Sequence, residues 1–169
     1  PDATKMKVFK LLYFADRDHL LTYGRPIVGD RYIKMEYGPV PSAGYNLVKH
    51  DERALAEDQA LFDECVDVRG NHLVATPAPE LLNHLSESDT EILDEVIKRY
   101  GRLSPANLSK LSHREPAWDK ADMNAEIDYR LMFVDSDAEQ ARQMVQEDQE
   151  LRDALVDIEL EDFVQSLRP

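Results

Sequence analysis

The stretch Tyr37–Pro41 constrains the backbone strongly, because it holds two prolines within three residues directly after a glycine. Each proline fixes φ at about −65° and pushes the residue before it out of the right-handed helical region. Gly38 can take a positive φ without steric cost. Residues 32–36 alternate in polarity as a short strand does, and Ser42 is placed to cap a helix that follows. The pattern therefore predicts a strand, a stiff corner at Tyr37–Pro41 and a new helix.

Composition indicates one soluble domain in a reducing compartment. The chain has 169 residues, of which 43% are hydrophobic and 32% charged, and this length is enough to bury a core without disulfides. Its single cysteine, Cys65, excludes an internal disulfide framework. No apolar run approaches the ~20 residues that span a bilayer, so a cytoplasmic location and no membrane partner are predicted. The first residue is Pro1 rather than Met, which leaves what precedes it open.

Charge is distributed unevenly along the chain, whose net charge is −14. Residues 1–50 carry eight Lys/Arg and five Asp/Glu, a net charge of +3, whereas residues 51–169 carry twelve and twenty-nine, a net charge of −17. Direct nucleic-acid binding needs clustered cations, so the sequence argues against it. A basic protein partner, one that itself acts on nucleic acid or nucleotides, fits the charge better. The alternative is that the acidic excess serves solubility alone.

The remaining pattern predicts an α+β fold that is mostly α, a compact helical domain with a small β-hairpin or short sheet. Apolar residues recur every three or four positions in three predicted helices, 5–21, 86–100 and 104–112. A short turn containing Trp118 follows, and 127–133 is expected to dock on the core. The runs 62–68 and 72–75 predict two strands joined at Arg69-Gly70-Asn71, with Cys65 inside the first strand.

A long acidic helix is predicted at the C-terminus. Ser136 and Glu139 have the spacing of a capping box. Residues 135–162 contain eleven acidic and two basic side chains. The apolar seam of this helix either lies along its own core or binds a partner. The chain is accordingly divided into a domain over 1–121 and a helical extension over 122–169.

Two pairs of side chains are candidates for chemistry. Asp16 and His19 share one face of the first helix, but two groups are too few for a metal site. His113 and Glu115 could transfer a proton, yet no nucleophile or oxyanion-hole motif accompanies them. No catalytic, metal or cofactor site is therefore predicted. A small hydrolase that uses these side chains is the alternative from another functional class.

Two groups of residues resemble a known family, the Panacea domain, which is the SocA-like antitoxin domain also labelled phage-associated GepA-like. The opening group is Lys-Leu-Leu-Tyr-Phe-Ala at 10–15, Gly-Arg-Pro at 24–26 and the Tyr37–Pro41 stretch. The closing group runs from Leu103-Ser104 to Leu-Ser-His-Arg-Glu-Pro-Ala-Trp at 111–118, where Ala117 separates a Pro and a Trp that the family has adjacent. The resemblance covers residues 5–121. The residues given a structural role by these motifs are Lys10, Leu11, Tyr13, His113 and Trp118.

The resemblance implies a non-enzymatic antitoxin of a type II toxin–antitoxin pair, which binds a toxin protein and blocks it. A second possibility that it implies is an adaptor that delivers the toxin to a ClpXP-type protease. The toxin's identity and the stoichiometry of the complex are left open. The residues predicted to contact the partner lie around the proline stretch and on the C-terminal helix: Arg31, Lys34, Glu36, Tyr37, Gly38, Pro39, Tyr45, Met144, Leu151 and Leu155.

Overall fold

The computed structural model of the protein describes residues 3–76 and 84–132. These residues form an α+β structure in which helices predominate and two small antiparallel sheets are separate from each other. In chain order the elements are α1 Lys5–Tyr23, β1 Tyr32–Met35, β2 Gly38–Pro41, α2 Ser42–Lys49, α3 Ala56–Cys65, β3 Val66–Arg69, β4 His72–Ala75, α4 Glu87–Tyr100, α5 Pro105–Ser112, α6 Pro116–Lys120 and a 3-10 turn, Tyr129–Met132.

Helix α1 lies at the centre of the described part of the chain. It packs against α4, α5 and β2. Its fully buried aromatic residue Tyr13 meets the ring of Tyr32 edge-on, with centroids 5.2 Å apart, and Phe14 stacks on Tyr100 at 4.8 Å. Such ring pairs add stabilisation beyond the apolar area that they bury. The core is therefore built around one helix, and the other elements are held by their contacts with it.

The three predicted helices are confirmed, and their caps explain their bounds. The Thr4 hydroxyl accepts a hydrogen bond from the Lys7 amide at the start of α1. Ser86 and Asp89 form a reciprocal capping box at the start of α4. Gly24 ends α1 with φ +78°, a left-handed conformation that costs glycine little.

The prediction of a corner at Tyr37–Pro41 is wrong, because Gly38–Pro41 is a strand. It pairs antiparallel with β1, Met35 lying opposite Gly38 and Tyr32 opposite Pro41, so the chain turns at residues 36–37. The backbone N–H and C=O of Lys34 bond instead to residues 124–125 on the other side of β1. Pro39 faces Lys34 across the ladder, so its missing N–H removes no hydrogen bond between the strands.

Ser42 does not cap α2 as predicted, because it is the first residue of that helix. Asp30 takes the role instead: its carboxylate accepts hydrogen bonds from the amides of Ala43 at 3.0 Å and Gly44 at 2.9 Å. An acidic group from outside the helix thus satisfies two of its free N–H groups and complements the helix dipole. A cap supplied from twelve residues upstream leaves no short-range sequence signal.

The second hairpin begins later than predicted. Strand β4 has the predicted bounds, but Cys65 is the last residue of α3 and β3 begins at Val66. Gln59, Phe62 and Cys65 are the partly buried residues of α3, and their three-residue spacing is helical. The alternating run around Cys65 therefore follows a helical period rather than a strand period.

Residues 124–132 complete the described domain. The Ile127 amide donates to the Tyr32 carbonyl at 2.7 Å, and Ile127 and Met132 are buried in the core. The predicted docking of 127–133 is thus confirmed up to Met132. Phe133 and the predicted acidic helix lie outside the described residues, and the division at residue 121 stays a prediction. No helix within residues 3–76 and 84–132 is long and apolar enough to cross a membrane.

Candidate functional site

A buried lysine joins the first helix to the first hairpin. The side chain of Lys10 is 1% exposed, and its Nζ donates a hydrogen bond to the Pro39 carbonyl at 2.7 Å. Burial lowers the pKa of this ammonium group to about 7, because the charged form loses its hydration. The lysine predicted to be structural is therefore the contact that fixes β2 against α1.

At this contact between β2 and α1, Gly38 is needed both for its backbone conformation and because it has no side chain. Its φ is +96°, which L side chains rarely adopt. A Cβ there would lie 2.3 Å from the Ser112 hydroxyl and 2.9 Å from Cε of Lys10. The family motif around Gly38 thus marks a close approach of the hairpin to α1 and α5.

Helix α5 supplies the second attachment of the hairpin. The Ser109 hydroxyl donates to the Tyr37 carbonyl at 3.0 Å, and Ser112 donates to the Ser109 carbonyl at 2.8 Å. The His113 ring hydrogen-bonds to the Glu36 backbone. The Tyr37 carbonyl therefore has a partner on α5, and the Glu36 backbone has one on the residue that follows α5. We call Lys10, Gly38, Pro39, Ser109 and Ser112 the motif cluster.

His113 and Trp118 form a stack beside the motif cluster. Their rings are 4.0 Å apart and nearly parallel, and Lys34 Nζ lies 4.2 Å from the centre of the Trp118 ring. Lys34 also donates to the carbonyls of Asp119 at 3.1 Å and Ala121 at 2.9 Å. Burial, together with the positive charges of Lys10 and Lys34, lowers the pKa of His113. The lowered pKa favours the neutral imidazole, which stacks on Trp118 and hydrogen-bonds to the Glu36 backbone.

The candidates for chemistry lie in separate polar networks. Asp16 is fully buried and accepts hydrogen bonds from the amides of Ile27 at 2.9 Å, Val28 at 2.8 Å and Gly29 at 3.2 Å and from the Tyr32 hydroxyl. Burial raises its pKa although these bonds oppose the rise. This carboxylate therefore fixes the loop between α1 and β1.

His19 is also fully buried, and its ring nitrogens contact the Arg25 carbonyl at 2.7 Å and the Ser88 hydroxyl and Asp89 carboxylate at 3.1 Å.

Glu115 binds Arg17 rather than His113. Burial raises the pKa of Glu115 and outweighs the opposing charge of Arg17. Within residues 3–76 and 84–132, no group of three or more His, Cys, Asp or Glu side chains could hold a metal ion.

The residues predicted to contact a partner differ in how exposed their side chains are. Arg31, Glu36, Tyr37 and Tyr45 are exposed, and Lys34 is half-buried. Gly38 and Pro39 are buried and shape the surface from beneath. The three predicted contacts on the C-terminal helix, Met144, Leu151 and Leu155, lie outside the described residues. Leu11 is partly buried against the core. The other motif residues lie around the hairpin: Lys10 and Tyr13 on α1, His113 directly after α5 and Trp118 on α6.

A groove of about 300 Å³ lies between the start of α1, the first hairpin and α2, with Asn71 from the turn of the second hairpin at its edge, and we call it the hairpin groove. Phe9, Val40 and Val48 belong to its lining, and Tyr37 and Tyr45 stand exposed beside them. Phe9 lies on α1 and Val48 on α2, and no pattern within either helix places the two side chains together. The amphipathic spacing of α1 and α2 predicts that each helix has an apolar face, but not that the faces meet beside the hairpin.

The family model described as "Antitoxin SocA-like, Panacea domain" matches residues 8–119. The matched range includes all the elements that form the motif cluster. No curated protein and no solved structure matches the chain.

Proposed function

The chain belongs to the SocA-like antitoxin family of Panacea domains, and from this premise we propose that it is the antitoxin of a type II toxin–antitoxin pair. It neutralises its toxin by direct protein–protein binding. The toxin is a protein with a basic or nucleotide-acting surface, which the charge of this chain complements.

One observation carries the proposal: the motif side chains hold the hairpin from inside, and aromatic side chains remain outside. Lys10 and Pro39 are buried, whereas Tyr37 is 58% exposed, Met35 41% and Tyr45 40%. Three large exposed side chains around one groove are typical of a protein-binding site. Tyrosine in particular provides contact area at little cost in conformational entropy.

The rigid hairpin favours tight binding. The Pro39 carbonyl is held by Lys10 and the Tyr37 carbonyl by Ser109. Two prolines restrict β2 further. A surface that is already ordered loses less entropy on association, so more of the contact energy appears as affinity.

Charge adds speed and selectivity to these contacts. The chain carries a net charge of −14, and complementary fields accelerate the encounter of two proteins. The acidic segment 135–162 is proposed to contact a cationic face of the toxin, which agrees with its eleven acidic residues. Its apolar residues Met144, Leu151 and Leu155 are proposed contacts of the same kind.

The test is co-expression with the adjacent reading frame. We expect its product alone to arrest growth, the chain to restore growth, and the two proteins to copurify. Tyr37→Ala should weaken binding by about 10-fold or more, as truncation of an aromatic anchor does. Tyr23→Ala is the matched control, because Tyr23 is 42% exposed but lies outside the hairpin groove.

A growth-arresting product that the chain neither binds nor neutralises would contradict the proposal. So would protection by a variant that cannot form the complex. The hydrolase alternative predicts a different pattern, in which His113→Ala abolishes protection while the complex still forms.

A further inference from the structure

The hairpin groove is lined by cations although the chain as a whole is acidic. The chain has 34 Asp and Glu against 20 Lys and Arg. Yet the ionisable side chains among the described residues that line the groove are three lysines and two tyrosines, with no carboxylate. Lys10 is buried and bonded to Pro39. Lys5 and Lys49 are therefore the lysines that a ligand in the groove can reach.

These two lysines flank an apolar surface. Lys49 is exposed, and its Nζ lies 5.7 Å from the centre of the Tyr45 ring. Tyr45 in turn packs against Phe9, with ring centroids 6.4 Å apart. The volume of about 300 Å³ is at the lower limit of ligand pockets. It suits one or two large apolar side chains with charged neighbours at the rim.

Resting on the proposed function, we propose that the hairpin groove binds an acidic segment of the toxin that carries an apolar anchor residue. The anchor lies on Phe9 between Tyr37 and Tyr45, and carboxylates next to it pair with Lys5 and Lys49. The toxin is then recognised at two places of opposite sign. Its basic face meets the acidic surface of the antitoxin, and an acidic segment enters this groove.

A second groove offers a matched control. It has a volume of about 610 Å³ and is also lined by cations, including Lys98 and Arg102. Both of these side chains are exposed. Ile97 is the one large exposed apolar side chain among its described lining residues. The charge change of Lys98→Glu with Arg102→Glu equals that of Lys5→Glu with Lys49→Glu, but it falls outside the hairpin groove.

The experiment uses the full chain and the growth-arresting product of the adjacent reading frame. Lys5→Glu with Lys49→Glu should weaken toxin binding at least about tenfold and reduce its salt dependence, since two interface charges are reversed. Lys98→Glu with Arg102→Glu should change the affinity by less than about twofold, as charges remote from an interface do. Equal affinities for the two double variants would overturn the inference and leave the proposed function intact.

Zero-length cross-linking with a carbodiimide identifies the occupant directly, because it joins lysine amines to carboxylates in contact. We expect Lys5 and Lys49 to link to Asp or Glu of the toxin. Links from these lysines to residues 135–162 of the same chain, or to a second copy, would overturn the inference even if the toxin is neutralised. Failure of the wild-type chain to bind the toxin would instead contradict the proposed function.

Discussion

The two hairpins of the molecule have strands of equal length but very different surroundings. Each strand of β1–β2 and β3–β4 has four residues. In the first hairpin Tyr32, Gly38, Pro39 and Pro41 are buried, whereas β3 and β4 contain no buried residue. The second hairpin is held at one edge by the N-terminal backbone, where the Leu73 amide donates to the Ala3 carbonyl and the Lys5 amide to the Asn71 carbonyl.

The basic side chains of the two hairpins, Lys34 in the first and Arg69 in the second, also differ in their surroundings. Lys34 on β1 contacts the Trp118 ring and two carbonyls of another element. Arg69 on β3 pairs with Asp67 two residues earlier, and both side chains are at least half exposed. Exposed pairs of that kind contribute about 0–1 kcal/mol. The first hairpin is thus held in place by other elements, which satisfy its backbone and bury its side chains, and not by its own strand pairing alone.

Replacing one glycine in each hairpin should give the largest contrast. Gly38→Ala should lower the free energy of unfolding by about 2–4 kcal/mol, because it adds strain at positive φ and places a methyl group against Ser112 and Lys10. At Gly70, φ is +60° and an added Cβ would meet no atom within 4 Å. Gly70→Ala should therefore lower the free energy of unfolding by only about 1–2 kcal/mol, from the left-handed backbone alone. Urea unfolding measures both, and equal losses would show that the first hairpin is not tightly packed at Gly38.

The buried Lys10 predicts a smaller effect, in which the free energy of unfolding depends on pH. The pKa of Lys10 is about 7 in the folded protein and about 10.4 when unfolded. Between these values the unfolded state binds more protons, so stability should rise with pH. We expect a rise of about 1–3 kcal/mol between pH 7 and pH 9, and a flatter profile for Lys10→Met, which is one atom shorter and has no titratable group. Parallel urea-unfolding profiles for the two proteins would mean that Lys10 does not titrate in this range.

Local signals were sufficient to predict α1, α4 and α5. The capping box at Ser86, the proline after Ser104 and the glycine after α1 lie next to the residues that they cap. The strand at β1 was likewise visible from alternation. The features that were predicted wrongly depend on residues that are distant in the sequence. The carboxylate of Asp30 caps α2, and residues 124–127 bond to the outer edge of β1. The register of β2 is what allows its two prolines, because Pro39 and Pro41 lie opposite Lys34 and Tyr32, whose backbone groups bond to residues 124–127 instead.

The candidate site was predictable only in part for the same reason. The resemblance identified Lys10, His113 and Trp118 as structural residues, and the structure places them around the hairpin. Periodicity alone could not distinguish a buried lysine from an exposed one on α1, since the bond from Lys10 spans twenty-nine residues to Pro39. The groove depends on three elements meeting, and no single stretch contains that information.

The central claim is that the first hairpin and its groove bind the toxin while the second hairpin does not. Amide hydrogen exchange of the full chain, with and without the growth-arresting partner, tests it most directly. We predict that the partner slows exchange in residues 35–50 and leaves the strands of the second hairpin, residues 66–69 and 72–75, unchanged; Asn71 in the turn between them lines the groove and is not part of the comparison. Slowed exchange confined to the strands of the second hairpin, or no change in either hairpin while the complex forms, would contradict the account.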